Sequence, residues 1–475
     1  MAVLSKHPAG AVPGPPARER TGHLLLRTWC TFVLFSALAG LGWINAIGAV
    51  ASGVLTVVTA VVSAVLWLVL RPAVQWRRLP WFAVAYIAWA GISVLWSHWP
   101  GTTVLTWLLV VITTLQALFV AAVLTWHEIV AALATALKWC VGLSLVFELA
   151  VSLFVPGRLL PQFGLPIPGH HYDPIVFWSR ANLLRGGFWH GLVEGGRIQG
   201  IYGNANPLAA VCLVAIIVFA VRIAAGAPRR TLLIVWIAIA AYLLYRAESA
   251  TILLAAVCVA AVLAATLAMR TARTPSARTR RYLLFAAVAV VGGLLAWVER
   301  DRLFTALGRS SDLTGRQNIW QAVLERTAQH PVVGWGFATP WLPSDPAFDR
   351  WIVDHGQSVM QAHNMWIDAS MQAGIIGVVL LAGHYLTGIW RSWFFAVDRP
   401  RWDLDADRPY SALSVLPVLL FTVVLVQGFA ESEPLLLWGW MLPILCVFKV
   451  KQAPIVGVGP GERSARLERG EHLAG

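Results

Sequence analysis

An all-α, polytopic membrane protein of about twelve transmembrane helices is the architecture to which three features of this chain point. Hydrophobic residues make up 58% of the sequence and charged ones 12%, about half the charge share of an ordinary soluble domain. Apolar stretches long enough to cross a hydrocarbon core of roughly 30 Å recur along almost the whole length. Lys and Arg, finally, gather in alternate connections, as the positive-inside bias requires.

The twelve apolar segments run roughly over 28–44, 50–70, 80–97, 103–124, 128–155, 206–225, 231–246, 249–269, 282–298, 365–390, 411–430 and 435–449. The first and seventh are short, which leaves eleven and thirteen spans as the neighbouring solutions. With the N-terminus in the cytoplasm, the inner segments carry Lys6, Arg18, Arg20 and Arg27, then Arg71, Arg77 and Arg78, then Arg222, Arg229 and Arg230. The same side goes on with Arg270, Arg273, Arg278, Arg280 and Arg281, then Arg391, Arg399, Arg401 and Arg408, and ends with Lys449, Lys451, Arg463, Arg466 and Arg469. Short outer turns such as 97–101 carry neither residue type.

The formal net charge of +13 is therefore mainly a topology signal. No nucleic-acid partner is expected, because that reading needs a basic face on a soluble fold. Residues 1–27 and 450–475 become cytoplasmic tails on either side of a transmembrane region at 28–449. No cleavable signal peptide is evident, since no small-residue cleavage site follows the first apolar run. Cys30, Cys140, Cys212, Cys258 and Cys446 all fall within or at the ends of spans, which argues against disulfides and a thiolate metal site. Tryptophans near span ends, such as Trp96, Trp99, Trp189 and Trp438, read as the interfacial aromatic belt.

Two longer hydrophilic segments, about 156–206 and 299–364, both fall on the outer face by this count and hold most of the groups capable of chemistry. The first ends in GGRIQGIYGNANPLAA. Its glycines Gly195, Gly196, Gly200 and Gly203 let the backbone bend tightly and approach a ligand, while Asn204, Asn206 and Pro207 suit turn and helix-start positions. Arg197, just before the sixth span, serves there either as a lipid-headgroup contact or as an anion-binding group.

The second segment opens with SSDLTGRQNIWQAVLERTAQHPVVGWG. Thr314 and Gln317 fit a capping box, and Ile319, Trp320, Val323 and Leu324 share one face, predicting an amphipathic helix that ends near His330 and Pro331. Arg316 stands in its first turn. There a guanidinium and free N–H groups converge on an anion, unless the helix lies on the membrane with Arg316 against lipid phosphate. The segment closes with HGQSVMQAHNMWIDASMQAGIIG, which sets His363 and Asn364 at the start of the tenth span. An imidazole held by a rigid helix suits a general base, and its unperturbed pKa of about 6.5 lets it accept a proton at neutral pH.

Smaller outer turns add Arg246, Glu248 and Ser249, and also Glu431 and Glu433. Charged groups at such depth either pair to fix helix ends or line a site. Glu148 and Asp368, toward the outer ends of spans, are in position to line it; Lys138 and His384 lie deeper or inward and read as structural. His170, His171, Asp173, His190, His330, His355 and His363 show no HExxH spacing, so no metal is expected.

Four blocks in order, SVLWSHWPGTT, RIQGIYGNANPLA, TGRQNIWQAVLERTAQHPVVGWG and AHNMWIDASMQAGIIG, resemble the O-antigen ligase and polymerase family over roughly residues 80 to 445. That resemblance implies a GT-C-like membrane glycosyltransferase in a bacterial plasma membrane, with its active site on the extracytoplasmic side and no cofactor. Its donor would be a polyprenyl-diphosphate-linked glycan and its acceptor a lipid, glycan or protein hydroxyl, with membrane lipids around it. It further implies that Arg197 and Arg316 hold the diphosphate and that His363 acts on the acceptor. Arg246, Asn204, Asn206, Asn364 and Glu431 complete the expected substrate-binding set.

One departure is visible: where the family often has an SR pair at the start of the eighth span, this chain reads ESAT, with Ala250 in the arginine's place. Arg246, four residues earlier and on the same helical face, is the candidate substitute. Direct attack by the acceptor on the anomeric carbon implies inversion. A ligase and a polymerase need the same leaving-group clamp and differ mainly in the acceptor. A transporter or flippase for a lipid-linked glycan is the competing class, but it should show repeated halves or a polar midplane path, and no clear internal repeat is present.

Overall fold

The computed structural model describes residues 21–155, 159–162, 196–300, 302, 316–398 and 410–452. Most of the two tails, most of the first long hydrophilic segment with Trp189 and His190, and the stretch carrying Thr314 lie outside them. The described chain is almost entirely helical. In order come α1 (Thr21–Leu38), α2 (Gly40–Leu70), α3 (Trp81–Ile92), α4 (Pro100–Val123), α5 (Trp126–Phe154), α6 (Ala205–Ala224) and α7 (Arg230–Ala247). They are followed by α8 (Ala250–Arg270), α9 (Pro275–Val298), α10 (Arg316–Gln329), α11 (Met365–Val397), α12 (Leu416–Gly428) and α13 (Leu437–Gln452). A two-residue hairpin, β1 (Val353–Asp354) with β2 (Gln357–Ser358), is antiparallel.

Eight of these helices, α2, α4 to α9 and α11, are long and apolar enough to cross a membrane. Three further apolar helices, at Gly22–Leu38, Trp81–Leu95 and Ala412–Gly428, are shorter. This supports a polytopic membrane protein; the expected twelve spans include elements shorter than the roughly 20 residues a perpendicular crossing uses. The first two segments also divide differently from the hydropathy pattern. α1 ends at Leu38, and α2 starts at Gly40 and bends at Gly48, whose φ of 80° interrupts it.

Helix starts carry local capping. Thr125 and Glu128 form a reciprocal capping box on α5, the Thr274 hydroxyl accepts from Ala277 N–H at the head of α9, and Asn204 caps α6. Each satisfies N–H groups that the first helical turn leaves without intrahelical partners. Helix α6 is the innermost element, packed by α5, α7, α8 and α12, with a nearly continuous run of buried residues from Leu208 to Ala215. Helix α9 is the opposite case: it leans on α8 and has no buried residue.

The helices have two unlike ends. At one, basic side chains cap helix C-termini: Lys449 donates to Ala121 O and Leu124 O, Arg270 to Ala396 O and Ser414 Oγ, and Arg278 pairs with Asp398. At the other end, residues 316–364 form a cap with its own small core of Trp99, Ile319, Val323, Ala338, Trp341, Phe348, Ala362 and Met371.

That cap docks on a break in α11. Gly374 has φ 63° and ψ −168°, a region open in practice only to glycine. The break frees the carbonyls of Met371, Gln372 and Ala373, which accept from Trp335 N–H (2.9 Å), Gly336 N–H (3.0 Å) and the Trp89 indole (2.9 Å). A Cβ on Gly374 would lie 2.2 Å from Val332 O. Trp99, expected in the aromatic belt, is instead 2% exposed within this cap core and donates its indole N–H to Gly336 O at 3.0 Å.

Candidate active site

The Arg197 loop is held from below. Glu148 of α5 accepts from Gln199 N–H (2.8 Å) and Gly200 N–H (2.6 Å). Arg246, in the last turn of α7, is buried; its Nη2 donates to Gly196 O at 2.8 Å, and its carbonyl accepts from Ile198 N–H at 3.0 Å. Gly200 has φ +57°, and a Cβ there would meet Ser144 at 2.7 Å, so the loop approaches α5 as only glycine allows. Thus fixed, Arg197 donates through Nε to Ala247 O (2.9 Å) and through Nη2 to Asn206 Oδ1 (3.1 Å).

Glu431, in the turn between α12 and α13, is the centre of the arrangement. One carboxylate oxygen accepts from Arg316 Nη2 at 2.8 Å and Asn206 Nδ2 at 2.8 Å. The other accepts from His363 Nδ1 at 2.9 Å and Gln361 Nε2 at 3.1 Å. Arg316 is anchored a second time, through Nη1 to Ala430 O at 2.5 Å. Burial alone would raise the Glu431 pKa, but the His363 ring, the Arg316 charge and the bond from Asn206 hold it down to about 2. It is therefore a carboxylate at neutral pH, and it accepts a hydrogen bond from His363 Nδ1–H.

That bond fixes the chemistry of the ring. With the proton on Nδ1, a neutral His363 has its lone pair on Nε2, away from Glu431. The backbone of His363 is left-handed, with φ 51°, a conformation uncommon outside glycine that histidine, asparagine and aspartate enter more readily than other side chains. It is imposed on both sides. Asn364 caps α11 by accepting from Trp366 N–H (2.9 Å) and Ile367 N–H (3.3 Å) and donates to Phe429 O (3.2 Å). On the other flank, Asp368 accepts from Ala362 N–H at 3.4 Å and from the Trp341 indole at 3.0 Å.

The structure thus links Arg197, Asn206, Glu431, Arg316 and His363 in one hydrogen-bonded chain, although they come from four separate stretches of sequence. Asn204 and Asn364 are helix caps at its edge, and Arg246 lies beneath the Arg197 loop. Sequence reading did not single out Gln361, which also accepts from Ser432 N–H at 2.9 Å. Its signal was its place two residues before His363. A second buried acid, Glu433, accepts from Gln427 Nε2 (2.6 Å) and Trp438 Nε1 (2.8 Å); burial and the neighbouring Glu431 charge push its pKa up to about 7. Among the described residues, no group of three or more His, Cys, Asp or Glu side chains is placed to share a metal ion.

The architecture is that of a multi-pass helical membrane protein with an arginine, carboxylate and histidine cluster where the cap meets the bundle. Residues 233–382, which include Arg246, Arg316 and His363, match the model of the O-antigen ligase family. The exopolysaccharide production protein ExoQ of Rhizobium meliloti is 32% identical over 205 residues, covering 41% of this chain and 44% of that protein. The O-antigen ligase of Pseudomonas aeruginosa is 26% identical over 114 residues, covering 24% of this chain and 25% of that protein. The matched region therefore spans less than half the length of either relative. Together these matches support the O-antigen ligase family for this chain.

Proposed function

We propose that this protein is a membrane glycosyltransferase that moves a glycan from a polyprenyl-diphosphate donor to an acceptor hydroxyl on the outer face of a bacterial plasma membrane. The observation that carries the reading is the shared carboxylate: Glu431 orients the Arg316 guanidinium and the His363 imidazole at 2.8 and 2.9 Å and reaches Arg197 through Asn206. Two guanidinium charges against one carboxylate leave a positive site at headgroup depth, where planar arginine forks bind phosphate well.

In this reaction Arg197 and Arg316 stabilise the charge that develops on the diphosphate as the glycosidic C–O bond breaks. His363 Nε2 takes the proton of the acceptor hydroxyl as its oxygen attacks the anomeric carbon, and the resulting imidazolium is held by Glu431. Attack opposite the leaving group inverts that carbon. Diphosphate is already a good leaving group, so neither a general acid nor a metal is required. Arg246 serves from beneath, by holding the Gly196 backbone; the third cation that the family pattern places at Ala250 has no direct replacement in it.

The acceptor separates two forms of this activity. Transfer to a lipid or protein makes the protein a ligase, the first reading and the activity named by the family description and the Pseudomonas relative; transfer to a growing glycan makes it a polymerase, the alternative. Purified protein given labelled polyprenyl-diphosphate glycan distinguishes them, because chain growth marks the polymerase and a single transfer the ligase. In the same assay Arg197→Ala, Arg316→Ala and His363→Ala should each lower the rate at least 100-fold, with no effect of chelator on the wild type. Full activity in any one of the three, or loss on chelation, rejects the mechanism.

A further inference from the structure

The block SVLWSHWPGTT has no role in the transfer chemistry, yet its His98 and Trp99, between α3 and α4, lie beside the distal end of α10, which is remote from them in sequence. There they line a cleft of about 520 Å³ together with Glu325, Arg326, Trp335 and Trp351. Trp99 and Trp335 lie nearly parallel, 17° apart, and the His98 ring is 4.2 Å from that of Trp335. The Arg326 guanidinium stacks 3.4 Å from the Trp351 ring centre and within 6.0 Å of Trp99 and Trp335. Arg326 donates weakly to Ala347 O at 3.4 Å, and no carboxylate among the described residues is paired with it. Burial lowers its pKa to about 10.

We infer that this cleft is a glycan-binding subsite, which seats a sugar ring of the substrate chain about three residues away from the bond being made. A pyranose presents an apolar C–H face and a rim of hydroxyls. The half-buried indoles of Trp335 and Trp351, backed by buried Trp99, match the first, and the planar fork of arginine, a carboxylate and an imidazole match the second. The polar rim of Glu325, His98 and exposed Gln329 does not suit an acyl chain. Spacing fits as well: ten residues of α10 separate Arg316 from Arg326, about 15 Å at 1.5 Å per residue, or roughly three sugar units. The inference rests on the reading of the substrate as a glycan, and it assigns the subsite to the chain of the substrate and not to its lipid.

The test uses full-length protein in lipid nanodiscs. Its probe is the set of water-soluble glycans released by mild acid from the source cell's polyprenyl-linked pool and separated by length. Fractions of four or more sugars should bind saturably. Gln329→Trp, which fills the mouth from an exposed position, and Trp335→Ala, which removes the platform, should each weaken binding at least tenfold, whereas His363→Ala should leave it within twofold. In the transfer assay Gln329→Trp should raise KM for long chains with kcat held; a rise for the donor assigns the subsite to the donor glycan and a rise for the acceptor to the acceptor glycan. Absence of saturable binding, or equal binding by wild type and Gln329→Trp, overturns the subsite. Failure of transfer in the wild type rejects the enzymatic reading alone, since the binding measurement does not use it.

Discussion

His363 is asked to meet two demands that few residues satisfy together. Its backbone sits at φ 51°, where most side chains are strained, and its ring must present Nε2 while Nδ1 is held by Glu431. Asparagine separates the demands, because it tolerates left-handed backbone better than most residues but offers no basic nitrogen. His363→Asn should therefore melt within about 2 °C of wild type, far less than a lost core contact would shift it, and show no transfer. A large fall in melting temperature would assign His363 a structural role instead. Glu431 carries the complementary lesson. Read in the sequence, an acid in a short turn between spans serves as well to fix helix ends as to line a site. Its four donors come from residues 206, 316, 361 and 363, and only tertiary structure brings these together.

At the scale of elements, the break in α11 positions the cap and so the whole site. Hydropathy reads 365–390 as one apolar run, and the glycine that interrupts it is invisible to that measure. Gly374→Ala forces a Cβ against Val332 O in a backbone region closed to alanine, so it should lower stability by about 2 kcal/mol or more, read as a fall in melting temperature in detergent. An unchanged melting curve would show that the cap docks otherwise. The turn between α12 and α13 makes a different demand. Glu433 has its pKa raised from 4.5 to about 7, so between those values the folded protein binds more protons there than the unfolded chain. Stability from this group is complete below pH 4.5 and is lost as pH rises through 7. Glu433→Gln, neutral throughout, should gain in melting temperature relative to wild type as pH rises from 5 to 8.5. A difference that is flat with pH would show that Glu433 is ionised when folded.

For the molecule as a whole, the membrane explains both what the sequence discloses and what it hides. Apolar length and the distribution of arginine disclose a multi-pass bundle, and among the described residues Arg270, Arg278 and Lys449 lie together at the end opposite the cap. Yet α6 and α2 are similarly apolar while one is the packed centre and the other has few buried residues. Lipid tails are as apolar as leucine, so hydropathy cannot tell a protein neighbour from a lipid one. The candidate site was legible as separate blocks, through Arg197, Arg316 and His363, because polar groups stand out against such a background. Their common carboxylate and the clamp of Glu148 and Arg246 under the Arg197 loop were not, since these depend on which helices pack together.

The division of labour between cations and base is tested most directly by donor binding to protein in nanodiscs, with labelled polyprenyl-diphosphate glycan as the probe. Arg197→Ala and Arg316→Ala should each weaken binding at least tenfold, while His363→Asn should bind within twofold of wild type and fail to transfer. Undiminished binding in both arginine variants, or an equal loss in His363→Asn, would contradict it.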